Sequence, residues 1–195
     1  LPNLFTTRKR EEEIKDQVTD IEQHDEKGLL TNASQITNKK KVELDKIIKY
    51  IRKIEQDIEV AKGANYVDSA RAIAKDHALF KNIDDAMNQF RDLLRTENWR
   101  GIYSKIGDIL SPEDGTNFEG FLRREALIWE GTRDLVKELR AEMLHAEPQA
   151  ISGPKGLHAK LSGHISGITK YLIDLMQIQD KQVRMFNEYL RNYSA

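Results

Sequence analysis

Apolar residues recur along much of this chain at alternating spacings of three and four, the rhythm of a helix that buries one face. The clearest run is Leu44, Ile47, Ile51, Ile54, Ile58 and Ala61. It is a heptad seam flanked by Lys46, Lys49, Arg52, Lys53, Glu55, Asp57 and Glu59. It predicts a helix over 35–62, ended by Gly63. A second seam, Leu161, Ile165, Ile168, Leu172 and Leu175, runs on through Gln179 and Gln182 to Phe186 and Tyr189. That pattern predicts a helix over 157–192. Two glutamines in a seam cost stability unless paired, so this end is expected to be looser or to meet something polar.

Weaker stripes fill the remainder. Ile14, Val18 and Ile21 predict a thin amphipathic helix over 7–27, with Gly28 as its terminator and Asn32-Ala33-Ser34 as a loop. Phe118, Phe121, Leu122, Ile128, Leu135, Leu139 and Met143 predict a long helix from about residue 117 that stops before Glu147-Pro148. Between residues 65 and 115 the segments shorten to 66–80, 83–95 and 98–110, punctuated by Asn82, Thr96-Glu97-Asn98 and Ser111-Pro112-Glu113-Asp114-Gly115. Tyr66, Phe80, Phe90, Trp99 and Tyr103 gather there. No strand alternation survives. The expected fold is all-α, an elongated bundle of three to four long helices from residues 1–64 and 116–195, with 65–115 as an inserted short-helix subdomain. Trp99, following the Thr96-Glu97-Asn98 break, serves either as the insert's own core, the commoner role, or as an exposed anchor. Trp99, Ile102 and Tyr103 are the candidate partner-binding residues.

Composition narrows the chemistry. Across 195 residues, 31 Lys and Arg face 32 Asp and Glu for a net charge of −1, which gives no pull toward nucleic acid or an anionic membrane. With 39% apolar and 32% charged residues, the balance is that of solvated helices around a modest core. Zero Cys removes disulfides, thiolate metal sites, iron–sulfur clusters and cysteine nucleophiles together. The most apolar stretch, Leu157 to Ile178, is interrupted by Lys160, His164, Lys170 and Asp174, so no membrane span is predicted. The chain opens Leu1-Pro2-Asn3 without a Met, which suits a processed mature form or a shortened one.

Candidate chemical motifs each have a plainer explanation. Glu142-Met143-Leu144-His145 has the E-x-x-H spacing of di-iron bundles, but those sites require a second copy and two more inward carboxylates. His158 and His164 are six apart and do not share a helical face. Gly153-Pro154-Lys155-Gly156 lacks the remainder of a phosphate-binding loop and any preceding strand. Asp84-Asp85 and Glu113-Asp114 are adjacent acids whose side chains diverge on a helix. Arg8-Lys9-Arg10 and Lys39-Lys40-Lys41 are each followed by acids and read as solvated helix ends. Gly156, Ala159, Gly163 and Gly167 with Ser162 and Ser166 predict close approach of a neighbouring helix. No catalytic residue, metal or cofactor is predicted.

Gly156-Leu157-His158-Ala159, then Gly163, Asp174-Leu175 and Gln182-Val183-Arg184, resemble the Gly/Ala-then-Gln-rich C-terminal helix of minor-pilus proteins of the TrbJ type from type IV secretion and conjugation systems. The chain is poorer in Gln and Ala and richer in charge than that pattern. The resemblance implies an exported, non-enzymatic protein at the periplasm or cell surface, with pilus or secretion-apparatus subunits as partners. The alternatives are a cytoplasmic scaffold or effector domain that self-associates through the Leu44–Ala61 seam, and a helical enzyme or metal carrier centred on His145.

Overall fold

The computed structural model describes residues 26–95, 118–147 and 156–192. They form five helices and, among the described residues, no strand: α1 (Glu26–Val60), α2 (Tyr66–Ala74), α3 (His77–Arg95), α4 (Phe118–Leu144) and α5 (Leu157–Asn192). The fold is an all-α bundle. At about 1.5 Å per residue, the 35 residues of α1 and the 36 of α5 each extend just over 50 Å. Helix α5 packs along both α1 and α4, α3 lies along α1, and α2 crosses onto α4. Cross-helix pairs fix the directions. Glu59 meets His158 near one end, while Lys40 meets Gln182 farther down. Helices α1 and α5 are therefore antiparallel. Gln179 bonds Glu125, and a Cβ at Gly131 would touch Tyr171, so α4 and α5 are antiparallel too.

The long seams are where the sequence places them, but α1 begins earlier than its pattern predicts. The loop expected at Asn32-Ala33-Ser34 is helical, and Gly28 lies inside α1 rather than ending a helix. The reason is visible in the buried positions Leu30, Ala33, Thr37, Lys40, Leu44, Ile47, Ile51, Ile54 and Ile58, one unbroken 3-4 series. Two of its members are polar, so an apolar count loses the seam below Leu44. The part of the predicted 7–27 helix before Glu26 lies outside the described residues, as do the predicted 98–110 helix and Trp99, Ile102 and Tyr103.

Two further boundaries differ. Asn82 does not break a helix; α3 runs through it, and the break falls at Lys75-Asp76. There Lys75 N–H still donates to Arg71 O (3.0 Å), and Asp76 Oδ1 accepts from Leu79 N–H (3.1 Å) as the side-chain cap of α3. On α4 the buried line is Phe121, Glu125, Trp129, Thr132, Val136, Leu139 and Met143. Leu122, Ile128 and Leu135, expected in the stripe, are its half-buried flank. Aromatic bulk at Trp129 and a satisfied polar pair at Glu125 take the central positions instead.

The core has two parts. The larger joins residues 44–58 of α1 to Tyr66, Ala70, Phe80, Ile83 and Phe90 of α2 and α3, and to α4 from Trp129 and α5 as far as Leu175. Tyr66, Phe80 and Phe90 thus pack into the same interior as the long helices. The smaller part holds Leu29, Leu30, Ala33, Phe121, Ile178 and Phe186, all from α1, α4 and α5. Of the two glycines within α5, Gly167 sits at a close approach, where a Cβ would lie 3.1 Å from Leu135 Cδ1, whereas Gly163 has nothing within 4 Å.

Two substitutions check this packing. Ile51 is 1% exposed at the centre of the seam. Ile51→Asp is expected to cost about 4 kcal/mol or more in urea unfolding, because it buries an unpaired carboxylate. Gly163→Ala should add roughly 1 kcal/mol from helix propensity. Gly167→Ala should add less, since Leu135 must yield.

Candidate functional site

Between the two parts of the core, all three long helices turn polar at the same level. Lys40 follows Thr37 on the α1 seam, Glu125 lies between Phe121 and Trp129 on α4, and Gln179 and Gln182 lie between Ile178 and Phe186 on α5. Lys40, Glu125, Gln179 and Gln182 are all fully buried. Lys40 Nζ donates to Glu125 Oε1 (3.2 Å) and Oε2 (3.4 Å) and to Gln182 Oε1 (3.4 Å). Gln179 Nε2 donates to Glu125 Oε1 at 2.7 Å. The carboxylate thus collects an ammonium from one helix and an amide from another. Gln179 Oε1 is buried and finds no partner among the described residues. One turn from Lys40, Thr37 Oγ1 donates to Ala33 O of its own helix (2.7 Å).

Lys40 is the middle residue of the basic run expected on a solvated helix end; it is instead sealed in the core. Burial pushes its ammonium below the ordinary value of 10.5, and the charge and hydrogen bond of Glu125 pull it part of the way back. The glutamines do meet something polar, as their seam positions predict. Nothing in the local sequence marks Glu125 as their partner, because the pairing joins residues 85 apart with Lys40 and 54 apart with Gln179.

Two histidines act as struts near the other end of the bundle. His158 Nε2 lies 2.6 Å from Glu59 Oε1, tying α5 to α1. His164 Nε2 contacts Glu142 Oε2, tying α5 to α4, with Glu138 Oε2 4.0 Å from Nδ1. Glu142 of the E-x-x-H is therefore engaged by His164. His145 borders a shallow cleft of about 250 Å³ with Glu142, Glu147, Leu157 and Lys160. Among the described residues, no three His, Asp or Glu converge to hold a metal. Arginines cap helix ends across the bundle: Arg71 Nε donates to Ala146 O (2.8 Å) and Arg140 Nε to Ala74 O (3.2 Å). The Arg140 guanidinium also stacks 4.4 Å over the Phe80 ring.

Tyr66 is fully buried, its hydroxyl has no partner among the described residues, and its ring meets His158 edge-on at 5.6 Å. Burial, assisted by the negative charge of Glu59, pushes its phenol from 10.0 up to about 12. Among the described residues, no helix is long and apolar enough to cross a membrane. Compared with protein-family models, curated proteins and solved structures, the chain matches none. The resemblance of α5 to the pilus family rests on the residues that suggested it.

Glu125→Ala is expected to cost ~3–5 kcal/mol, because it strands Lys40 in the core. The double variant Lys40→Met/Glu125→Leu should lose less stability than Glu125→Ala, since it removes both desolvated charges and leaves only the Gln179 and Gln182 amides without those partners. The folded state holds the Tyr66 proton more tightly than the unfolded state does. Its contribution is complete below pH 10 and lost as pH rises toward 12. Unfolding curves between pH 9 and 11.5 should therefore fall more steeply for the parent than for Tyr66→Phe.

Proposed function

We propose that this chain works through protein–protein contact rather than catalysis, as a helical-bundle component exported to the periplasm or cell surface and associated with a pilus of a bacterial secretion or conjugation apparatus. One observation supports the non-enzymatic part above others: its described polar constellations join helices to each other. Lys40, Glu125, Gln179 and Gln182 are sealed from solvent. His158 and His164 are engaged by carboxylates of α1 and α4. A general acid or base needs access to a substrate proton, and these groups spend their hydrogen bonds on the bundle. The pilus association draws on the α5 residues from Gly156 to Arg184.

A cytoplasmic scaffold that self-associates through Leu44–Ala61 meets a physical obstacle. Leu44, Ile47, Ile51, Ile54 and Ile58 are at most 2% exposed, covered by the chain's own helices. Pairing through them would require the monomer's core to open.

Recovery of the cross-linked protein from intact producing cells is expected to bring down pilus or secretion-apparatus subunits, with the protein itself in the periplasmic or surface fraction. Recovery of metabolic enzymes or nucleic acid alone, or a cytosolic protein retaining its full N-terminus, would overturn the proposal.

A further inference from the structure

We propose that copies of this chain associate side by side, the outward face of α4 on one copy docking along the outward face of α1 on the next. The two faces carry opposite charge, in matching order and at matching height. This goes beyond the pilus association and does not depend on it.

On α1 the line turned away from the buried seam runs through Val42, Lys46, Lys49, Lys53 and Val60, all exposed. Val42 is 52% exposed and Val60 82%, so two apolar side chains in water bracket three lysines. On α4 the corresponding line is Leu127, Glu130, Asp134 and Glu138, with Leu144 at its margin. Leu127 is 68% exposed and Leu144 37%, so here apolar side chains bracket three carboxylates. Each line spans about 26 Å at ~1.5 Å per residue. Asp45 and Asp57 flank the α1 line and Lys137 the α4 line, which leaves each face an excess of its own sign. The contacts these charges already make are partly exposed. Lys46 is 3.1 Å from Glu43 and Asp134 is 3.5 Å from Arg133, each pair on one helix, and Glu138 lies 4.0 Å from His164. Such pairs contribute little, so trading them for pairs between copies costs little.

Two facts of the fold set how the faces meet. First, α1 and α4 run the same way, each antiparallel to α5, and the Lys40–Glu125 contact fixes their relative height. A residue of α1 is level with the one 85 positions later on α4. Val42 is therefore level with Leu127, Lys49 with Asp134 and Lys53 with Glu138, while Lys46 and Val60 are within one residue of Glu130 and Leu144. A copy moved sideways, without rise or reversal, brings each member of one line against its complement. The reversed direction also matches the three charges, but it sets Val60 against Arg123 and Leu127 against Gln56.

Second, α1 and α4 hold opposite corners of the bundle. Helix α5 packs against both on one side, and on the other α3 packs on α1 and α2 on α4. Their seams face the common core, so their outward faces point away from each other. Each copy thus presents a basic edge and an acidic edge on opposite sides. The contact is heterologous, and a growing row keeps one edge of each kind at its ends. A face one helix wide buries less than a standard interface, so association is weak in dilute solution and strengthens with concentration. The Leu44–Ile58 seam stays closed throughout.

Sedimentation velocity of the full chain tests this. The mean mass is expected to rise past that of a dimer with increasing concentration at about 0.05 M salt, and the apparent Kd to weaken about ten-fold or more at about 0.5 M. A monomer at every concentration in low salt would overturn the proposal, as would association that salt leaves unchanged. Lys46→Glu/Lys49→Glu/Lys53→Glu and Glu130→Lys/Asp134→Lys/Glu138→Lys should each be monomeric alone and associate when mixed. All six changes together leave the net charge at −1, and that chain should associate with itself as the parent does. Failure of the mixture or of the six-fold exchange to associate would show that the two faces do not meet. Because the chain has no Cys, cross-linking gives a second measurement that does not depend on multiply substituted chains folding. With a short bis-maleimide, Val42→Cys should link to Leu127→Cys about ten-fold faster or more than to Leu144→Cys; equal or reversed rates would overturn the parallel alignment.

Discussion

The Lys40–Glu125 ion pair is the contact on which the arrangement of the long helices depends. It connects α1 to α4, and Gln179 and Gln182 connect the same two groups to α5. A buried charge pair adds little net stability, because each partner gives up hydration to reach the other. Its effect lies in what it forbids. Sliding α1 by one heptad would bring Ile47 to the level of Glu125 and strand the carboxylate among apolar neighbours. Leucine and isoleucine seams tolerate such slips, since one apolar layer resembles the next; a single lysine and a single glutamate do not. The cost of a lone buried charge thus fixes one register for three helices that their apolar positions alone would leave less determined.

At the opposite end of the bundle the same role falls to contacts nearer the surface. Arg71 and Arg140 each close a carbonyl left open by a helix end on the neighbouring element, so α2 is tied to α4 at both of its sides. His158 and His164 face different helices and reach Glu59 and Glu142. Apolar burial supplies the bulk of cohesion in between, from Leu44 to Ile58 and from Leu161 to Leu175. A chain with 32% charged residues thereby places part of that charge inside its own bundle.

Much of this was legible from spacing alone. The seams at 44–58 and 161–186 and the ends of α5 follow directly from period-3.5 positions, because each helix must turn those residues one way. The stretch of α1 before residue 35 was not legible as part of that helix, since Thr37 and Lys40 occupy seam positions and read as surface. The face of α4 was shifted for a related reason: Glu125 and Thr132 belong to the buried line, while Leu122, Ile128 and Leu135 beside it look more apolar. The break between α2 and α3 at Asp76 had a signal, an acid that could cap Leu79, but Asn82 was an equally good candidate in the sequence. Of the polar layer, only the two glutamines announced themselves.

By itself, then, the sequence determined an all-α chain with two long heptad faces, free of thiol chemistry and with near-balanced charge. These are local properties, set by which residue follows which within a few turns. Only the tertiary structure decided that α1 continues down to Glu26, that Phe80 and Phe90 share one interior with the long helices, and that Lys40 is buried. The physical reason is distance along the chain. A lysine at a seam position is tolerable only when a carboxylate 85 residues away is brought to 3.2 Å from it, and no pattern of neighbours along one helix can express that.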